Sequence, residues 1–298
     1  MSSGGKEIWL GALAGVGTFA AGLAVYKGLQ YVRDRNKPSD GHSHDHSDEY
    51  MLKCFGTLHY AAPEDYLLYD CVPRDVVGFH EKCANLCIKH RKEGVVSRAM
   101  EVGCASGRTS FELSRGFDSV LGVDISQAFV DKCNEIKRTG QTEYWLPGEG
   151  ELGETKIAHL PPEINSSRVE FKVGDGCNLP ALSPGPLGCI ITCNTLCRVP
   201  DPAKLLEQAR DLLVPGGTLV LVESYTWTEE TTPKDKWLGG YKDKEGKEVD
   251  TFEALKAVLL PDFQLEEECV LQCVSRDAPR LFFWFLDHAT VWRKRENH

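Results

Sequence analysis

Short apolar runs alternate along this chain with segments whose apolar residues recur every three or four positions. Arg98-Ala-Met-Glu-Val-Gly103 reads as a buried strand, and Thr109 to Arg115 has spacing compatible with a helix. A second run, Val120-Leu-Gly-Val123, ends in Asp124. Val169-Glu-Phe-Lys-Val173 alternates as a strand does, and Leu187-Gly-Cys-Ile-Ile-Thr-Cys193 is continuously apolar, as a central parallel strand should be. Asp201 to Leu213 is an amphipathic helix with Pro202 in its first turn, and Pro215-Gly-Gly217 turns the chain into a further strand, Thr218-Leu-Val-Leu-Val222. Asp75 to Arg91 carries Val76, Phe79, Cys83 and Cys87 on one helical face. Phe263 to Val274 and Leu281 to Trp292 form two β runs separated by Asp277-Ala-Pro279. Strands alternating with helices predict an α/β domain. The expected architecture is Rossmann-like: a seven-stranded, mostly parallel sheet closed by a C-terminal antiparallel pair, with helices on both faces.

The chemistry concentrates at Glu101-Val-Gly-Cys-Ala-Ser-Gly-Arg108. Strand, glycine turn, helix, strand and terminal acid is the order of an α/β nucleotide site. Gly103 and Gly107 let the backbone pass close to a ligand, and Asp124 sits where a carboxylate can accept both ribose hydroxyls. A dinucleotide wants G-x-G-x-x-G beneath its pyrophosphate, whereas Gly103 to Gly107 is G-x-x-x-G. Glu101 is unwelcome near phosphates and suits a cation with an amino-acid end. S-adenosylmethionine (SAM) has a sulfonium, an ammonium and a ribose, so SAM is the expected cofactor. The plainer alternative is a glycine turn that only packs strand on helix.

Later residues follow in the order that a class I SAM-dependent methyltransferase needs. Asp175, just past the third strand, is the candidate acceptor for the adenine amino group, with Gly176 beside it. Asn194 ends the next parallel strand at the carboxyl edge, where α/β sheets bind ligands. The candidate cofactor set is therefore Glu101, Gly103, Cys104, Gly107, Asp124, Asp175, Gly176 and Asn194.

The segment Gly103-Cys-Ala-Ser-Gly-Arg-Thr-Ser-Phe-Glu-Leu-Ser114 resembles the first motif of the 4-mercaptohistidine N1-methyltransferase family, the C-terminal domain of ovothiol synthases. The likeness continues through Gly148-Glu-Gly-Glu-Leu152, Gly174-Asp-Gly-Cys-Asn-Leu-Pro180 and Thr290-Val-Trp-Arg-Lys294. It is strongest from Ser224-Tyr-Thr-Trp-Thr-Glu-Glu to Trp237-Leu-Gly-Gly240, and it covers about Tyr50 to Arg295. The resemblance implies methylation of an imidazole nitrogen in a thiolated histidine. In ovothiol synthases this domain usually follows an iron-dependent sulfoxide synthase, for which 298 residues leave no room. The carbon–sulfur bond is then expected to be made elsewhere, or the acceptor is histidine, a histidine dipeptide, ergothioneine or a peptide.

A neutral imidazole nitrogen already offers a lone pair, so a dedicated base is optional. The site needs a wall that holds the ring and an anchor for substrate charge. Tyr225, Trp227 and Trp237 are the candidate wall, and Arg198 or Lys234 the candidate carboxylate anchor. Glu223, Glu229 and Glu230 are candidates to orient the ring N–H, against a reading as ordinary loop acids. The aromatic-rich stretch from Tyr50 to Tyr69, which includes His59, Tyr60 and Tyr66, is either a lid or core packing. Competing functions are transfer to a hydroxyl or carboxyl acceptor, and a non-catalytic scaffold that keeps the fold.

Net charge of −10 argues against unassisted nucleic-acid binding, and no nucleic-acid partner is expected. The twelve cysteines include no C-x₂-C pair, so no metal site is expected and the thiols read as small core residues of a reducing compartment. Cysteines four apart, such as Cys83/Cys87 and Cys189/Cys193, were they on strands, would face one side but lie too far apart for a disulfide. Ile8 to Tyr26 is 19 residues without a charge, with Trp9 and Tyr26 at its ends. It reads as a single membrane span within an anchor of residues 1–35, with a cleaved signal peptide as the rival. Gly11-x-x-x-Gly15 suggests helix-mediated self-association. Lys27, Arg33, Arg35 and Lys37 place the following domain in the cytosol, on the endoplasmic reticulum or outer mitochondrial membrane. Residues 36–49 are a polar linker carrying His42, His44 and His46, and residues 50–298 are the catalytic domain.

Overall fold

A computed structural model describes residues 58–66 and 74–296 of the protein. The expected membrane span, the histidine linker and the aromatics before Leu58 lie outside the described residues, as does Tyr69. Among the described residues no helix is long and apolar enough to cross a membrane.

A helical turn, α1 (Pro63–Tyr66), precedes α2 (Phe79–Lys89), and then come β1 (Arg98–Val102), α3 (Arg108–Leu113) and β2 (Ser119–Asp124). After α4 (Gln127–Thr139) the chain makes a hairpin, β3 (Gln141–Pro147) and β4 (Gly153–His159). The parallel sheet resumes with β5 (Val169–Val173), β6 (Leu187–Cys193), α5 (Pro202–Leu212) and β7 (Leu213–Glu223). The small strands β8 (Tyr241–Lys242) and β9 (Glu248–Val249), helix α6 (Thr251–Leu259) and the long pair β10 (Phe263–Ala278) and β11 (Leu281–Lys294) complete the chain.

The main sheet has seven strands in the order β10-β11-β7-β6-β1-β2-β5. The five strands from β7 to β5 run parallel, and β11 lies antiparallel between β7 and β10. This is the expected Rossmann-like sheet, mostly parallel and closed by a C-terminal antiparallel pair. Strand alternation sorts its side chains into two cores. Ala99, Val120, Ile191, Val220 and Val222 pack on the face of α2, α3 and α4. Met100, Leu121, Ile190, Leu219 and Leu221 pack on the face of α5 and α6. The helix starts carry the signals that specify them. Asp201 caps α5 by accepting from the Lys204 N–H at 3.1 Å, ahead of Pro202 at the first turn. Asp250 caps α6 through the Glu253 N–H at 3.0 Å.

Several boundaries differ from the sequence reading. The Asp75–Arg91 helix is a short 3₁₀ turn at Arg74–Val76 followed by α2, because Gly78 adopts a left-handed φ of 72° between them. Cys83 and Cys87 consequently sit on a helix, and the ten described cysteines are free thiols. Pro215-Gly-Gly217 is absorbed into β7, where the register with β6 jumps between Leu187 and Cys189. The β3–β4 hairpin was not anticipated, although Thr142, Tyr144 and Leu146 alternate inward along β3. Most consequential is the length of the C-terminal pair. Strand β7 pairs with β11 only from His288 to Arg293, so Leu281 to Asp287 run past the end of the parallel sheet. That overhang reaches over the carboxyl ends of the central strands.

Candidate active site

The order of the sheet reverses between β1 and β6, and a cavity of about 450 Å³ opens at the carboxyl ends of these strands. One half is built by the loops after β1, β2, β5 and β6. Glu101, Gly103, Cys104, Asp124, Asp175, Gly176, Asn194 and Arg198 all line it. These are every cofactor candidate but Gly107, together with one of the two proposed carboxylate anchors.

The first loop is held closed by Asp124. Its Oδ2 accepts from the Ala105 N–H at 2.8 Å and its Oδ1 from the Ser126 N–H at 2.9 Å. The carboxylate is thereby oriented beside the glycine turn and the start of α4. Gly103 has φ 78°, and a Cβ there would come within 2.2 Å of Thr195 Oγ1 on the facing loop. Only glycine lets the β1 and β6 loops approach this closely. Gly107, alone among the candidate cofactor residues, does not line the cavity. At φ 82°, a Cβ on it would meet Phe171 at 2.7 Å and Cys133 Sγ at 2.9 Å, so it serves the turn and the packing of the sheet.

Glu101 is 3% exposed and accepts from the Ser110 hydroxyl. Burial pushes its carboxyl up to about 8, against the pull of its hydrogen bonds to Ser110 and Thr109. A buried acid at the cavity wall fits a cationic ligand, whose charge would restore the ionised form. Asp175 caps the following 3₁₀ turn through the Cys177 N–H at 2.8 Å and faces the same cavity.

The other half comes from distant parts of the chain. Phe283, Phe285 and Asp287 line it from β11, Cys273 from β10, and His59 and His80 from the N-terminal side. Alternation along β11 turns these three side chains inward and leaves Trp284 and Leu286 exposed on the outer face. The imidazoles of His59 and His80 are 4.3 Å apart. Burial, with the Arg108 charge, lowers His59 to about 4, and burial also takes His80 well below its ordinary value, so both rings are neutral at pH 7. His80 Nδ1 pairs with the Thr109 hydroxyl at 2.9 Å, which ties this segment to α3. Tyr60 donates to the Ser106 carbonyl at 2.7 Å and Tyr66 lines the cavity, so the described residues 58–66 of the aromatic-rich stretch lie against the glycine loop.

The expected aromatic wall lies elsewhere. Tyr225, Trp227, Trp237 and Lys234 are not among the residues lining the cavity. Trp227 and Trp237 stack with centroids 6.3 Å apart, and their indole N–H groups donate to Thr251 Oγ1 and the Thr232 carbonyl. Tyr225 hydrogen-bonds His288 Nδ1 at 2.8 Å, and Lys234 lies over the Trp237 ring. These side chains hold together the insertion between β7 and α6. Glu223 is also committed: it accepts from Thr192, from the Thr195 N–H and from the Leu196 N–H, while Glu229 and Glu230 are exposed. The aromatic side chains that do line the cavity from β11 were signalled by the Phe283-x-Phe285-x-Asp287 alternation. Its reach past the parallel sheet could not be seen in the pattern.

Residues 100–221 match a family described as "Methyltransferase domain". A ubiquinone biosynthesis O-methyltransferase from Xanthomonas campestris pv. campestris is 26% identical over 125 residues, which is 42% of each chain. The match thus spans less than half the length of this curated relative. Magnesium protoporphyrin IX methyltransferase (ChlM) from Synechocystis PCC 6803, with bound SAM, aligns over 82% of this chain and 94% of its own, with 12% identity and a TM-score of 0.47. N-methyltransferase NodS from Bradyrhizobium japonicum WM9, in complex with S-adenosyl-L-homocysteine, aligns over 80% and 99%, with 16% identity and a TM-score of 0.45. The family match covers residues 100–221, less than half of the chain, and the ligand expected of its glycine turn and acids is SAM. The buried Glu101 and the loop-bound Asp124 fit that ligand.

Proposed function

We propose that the protein transfers a methyl group from SAM to a ring nitrogen of an imidazole in a histidine-derived small molecule or peptide. The observation that carries this reading is the second half of the cavity, where Phe283 and Phe285 wall a small space directly continuous with the cofactor loops. Two aromatic faces suit a flat ring of imidazole size. Bound SAM supplies an electrophilic methyl on a sulfonium. The protein supplies position and desolvation: Glu101 and Asp124 set the cofactor, and the β11 overhang shields the acceptor from water. A neutral imidazole nitrogen needs no deprotonation before it attacks. The likeness of Ser224 to Gly240 to the 4-mercaptohistidine N1-methyltransferases supports the same acceptor.

A second reading has its own support. The curated relative named above is an O-methyltransferase, so a hydroxyl acceptor is the alternative. The full chain incubated with methyl-labelled SAM should separate them. Histidine, 4-mercaptohistidine, ergothioneine, carnosine, histidine peptides and catechols are offered, and the methyl is located by mass spectrometry and NMR. Label on an imidazole nitrogen supports the proposal. Label only on hydroxyl groups moves the assignment to the alternative, and SAM binding without transfer favours a scaffold. The uncharged segment 8–26 would tether the domain to a membrane from the cytosolic side, with self-association through Gly11 and Gly15. Alkaline extraction of a membrane fraction tests the tether: release into the supernatant overturns it.

A further inference from the structure

We propose that Asp287 is the acceptor-positioning residue: its Oδ1 takes the N–H of the imidazole nitrogen that does not react, and so presents the other nitrogen to the methyl group. This rests on the imidazole reading above and adds which residue selects the nitrogen.

Asp287 is 1% exposed, lines the cavity, and stands at the end of the inward row that begins with Phe283 and Phe285. Its two oxygens are treated differently. Oδ2 accepts from Asn194 Nδ2 at 2.6 Å. The Asn194 amide cannot turn over without losing a bond, because its Oδ1 accepts from the Ser224 N–H at 3.1 Å. Its backbone is held too, in the left-handed region at φ 52°, with its N–H donating to the Val222 carbonyl at 2.8 Å. A rigid donor therefore occupies one carboxylate oxygen. The other, Oδ1, is buried and has no hydrogen-bond partner among the described residues. A buried carboxylate oxygen without a donor is costly, and such groups are rare unless a ligand completes them. Burial raises the Asp287 carboxyl from its ordinary value, while the Asn194 bond and the Arg198 charge oppose the shift. An acceptor with an N–H beside a growing positive charge would complete both requirements.

The chemistry balances on that contact. As the reacting nitrogen forms its N–CH₃ bond, the S–CH₃ bond breaks and its electron pair stays on sulfur. Positive charge passes from the sulfonium to the ring, which becomes an imidazolium. Asp287 faces that charge through the remaining N–H, and the ring's proton later leaves to solvent. The carboxylate thus favours one tautomer before attack and stabilises the cation as it develops. The three acids weighed from sequence, Glu223, Glu229 and Glu230, have no comparable position.

The test uses the full chain and three readouts. Wild type and Asp287→Asn are compared for SAM affinity by calorimetry, for kcat and KM toward the imidazole acceptor that wild type turns over, and for the position of the methyl by NMR. The expected variant binds SAM within about twofold of wild type, loses about 100-fold in kcat/KM and methylates both ring nitrogens. Unchanged kcat/KM with the methyl still on one nitrogen overturns the role of Asp287 and leaves the imidazole assignment standing. Wild type that methylates no imidazole removes both. A second arm needs no variant. Wild type is offered the same acceptor with its non-reacting nitrogen already methylated, so that it has no N–H to donate. Turnover at least about 100-fold slower supports the contact, and turnover at the parent rate overturns it even if Asp287→Asn fails to fold.

Discussion

The two halves of the cavity are made in different ways. The cofactor half is a set of loops at the ends of parallel strands, and its shape depends on backbone: a glycine at φ 78°, an Asp124 carboxylate bonded to two N–H groups, a turn capped by Asp175. The other half, proposed to hold the acceptor, is made of side chains brought from His59, His80, Cys273 and the Phe283–Asp287 overhang, which are far apart in the chain. Backbone-built sites tolerate little change in their own loops. A site built from an overhanging strand can change its occupant by altering inward positions while the sheet stays intact. This is one physical reason why cofactor and acceptor specificity can be assigned separately in such a domain.

The contrast has measurable consequences. Asp124→Ala removes both the loop bonds and the ribose acceptor, and should weaken SAM binding by about 100-fold or more in calorimetry. A variant that keeps wild-type affinity would show that the loop holds its shape without this carboxylate. The next effect comes from Glu101. Its carboxyl sits at about 8 without ligand, and a bound sulfonium or ammonium should lower it, so binding releases a proton. SAM affinity should then rise with pH up to about 8 and level off above it, by at most about tenfold per pH unit below 8. Calorimetry in buffers of different ionisation enthalpy reads the proton directly, and no release at pH 7 argues against contact between Glu101 and the cation.

The same group sets a stability trend. Glu101 and Glu223, the latter raised to about 7 by burial, hold protons in the folded state that the unfolded chain has lost above its ordinary carboxylate values. Below about pH 6.5 the buried neutral His59 and His80 act in the opposite sense, so ligand-free stability should be highest near pH 6.5 and fall as pH rises toward 8, which thermal unfolding with and without SAM can follow. In the acceptor half, Phe285→Ala should raise the acceptor KM by about tenfold while SAM affinity stays within about twofold. Equal losses for both ligands would mean that the halves are not separable. The smallest catalytic effect is expected at the stacked indoles. Trp227→Ala should leave acceptor KM within about twofold yet cost about 2 kcal/mol of stability, since this ring packs in the insertion and donates to Thr251. A large KM change would return the insertion to the site.

Much of the cofactor half was legible from residue order, because a βαβ unit places its ligand loop at a fixed point in the chain. Glu101, Gly103, Asp124, Asp175 and Asn194 were each identifiable from the strand they follow. Gly107 shows the limit of that reading: the same residue type answers a packing need against Phe171 and Cys133. The insertion from Ser224 to Gly240 shows the converse: its candidates do not line the cavity. Its aromatics are distinctive in sequence and follow a strand ending at the ligand edge, yet they satisfy one another through the Trp227–Trp237 stack and the Tyr225–His288 bond.

Local pattern was sufficient for the strands of the main sheet, for the helices α2, α3 and α5 and for the glycine turn, since period-two and period-3.6 alternation and backbone conformation are properties of neighbouring residues. It was also sufficient to nominate the cavity-lining candidates Glu101, Gly103, Asp124, Asp175 and Asn194, each of which lies in or just after a single strand. Tertiary structure alone decided that β11 overruns β7 by seven residues and carries Phe283, Phe285 and Asp287 over the cavity. It alone decided that Asn194 holds one oxygen of Asp287 and leaves the other buried without a partner among the described residues. Those outcomes depend on register between segments nearly a hundred residues apart, and register is set by how whole faces pack, which no short stretch of sequence contains.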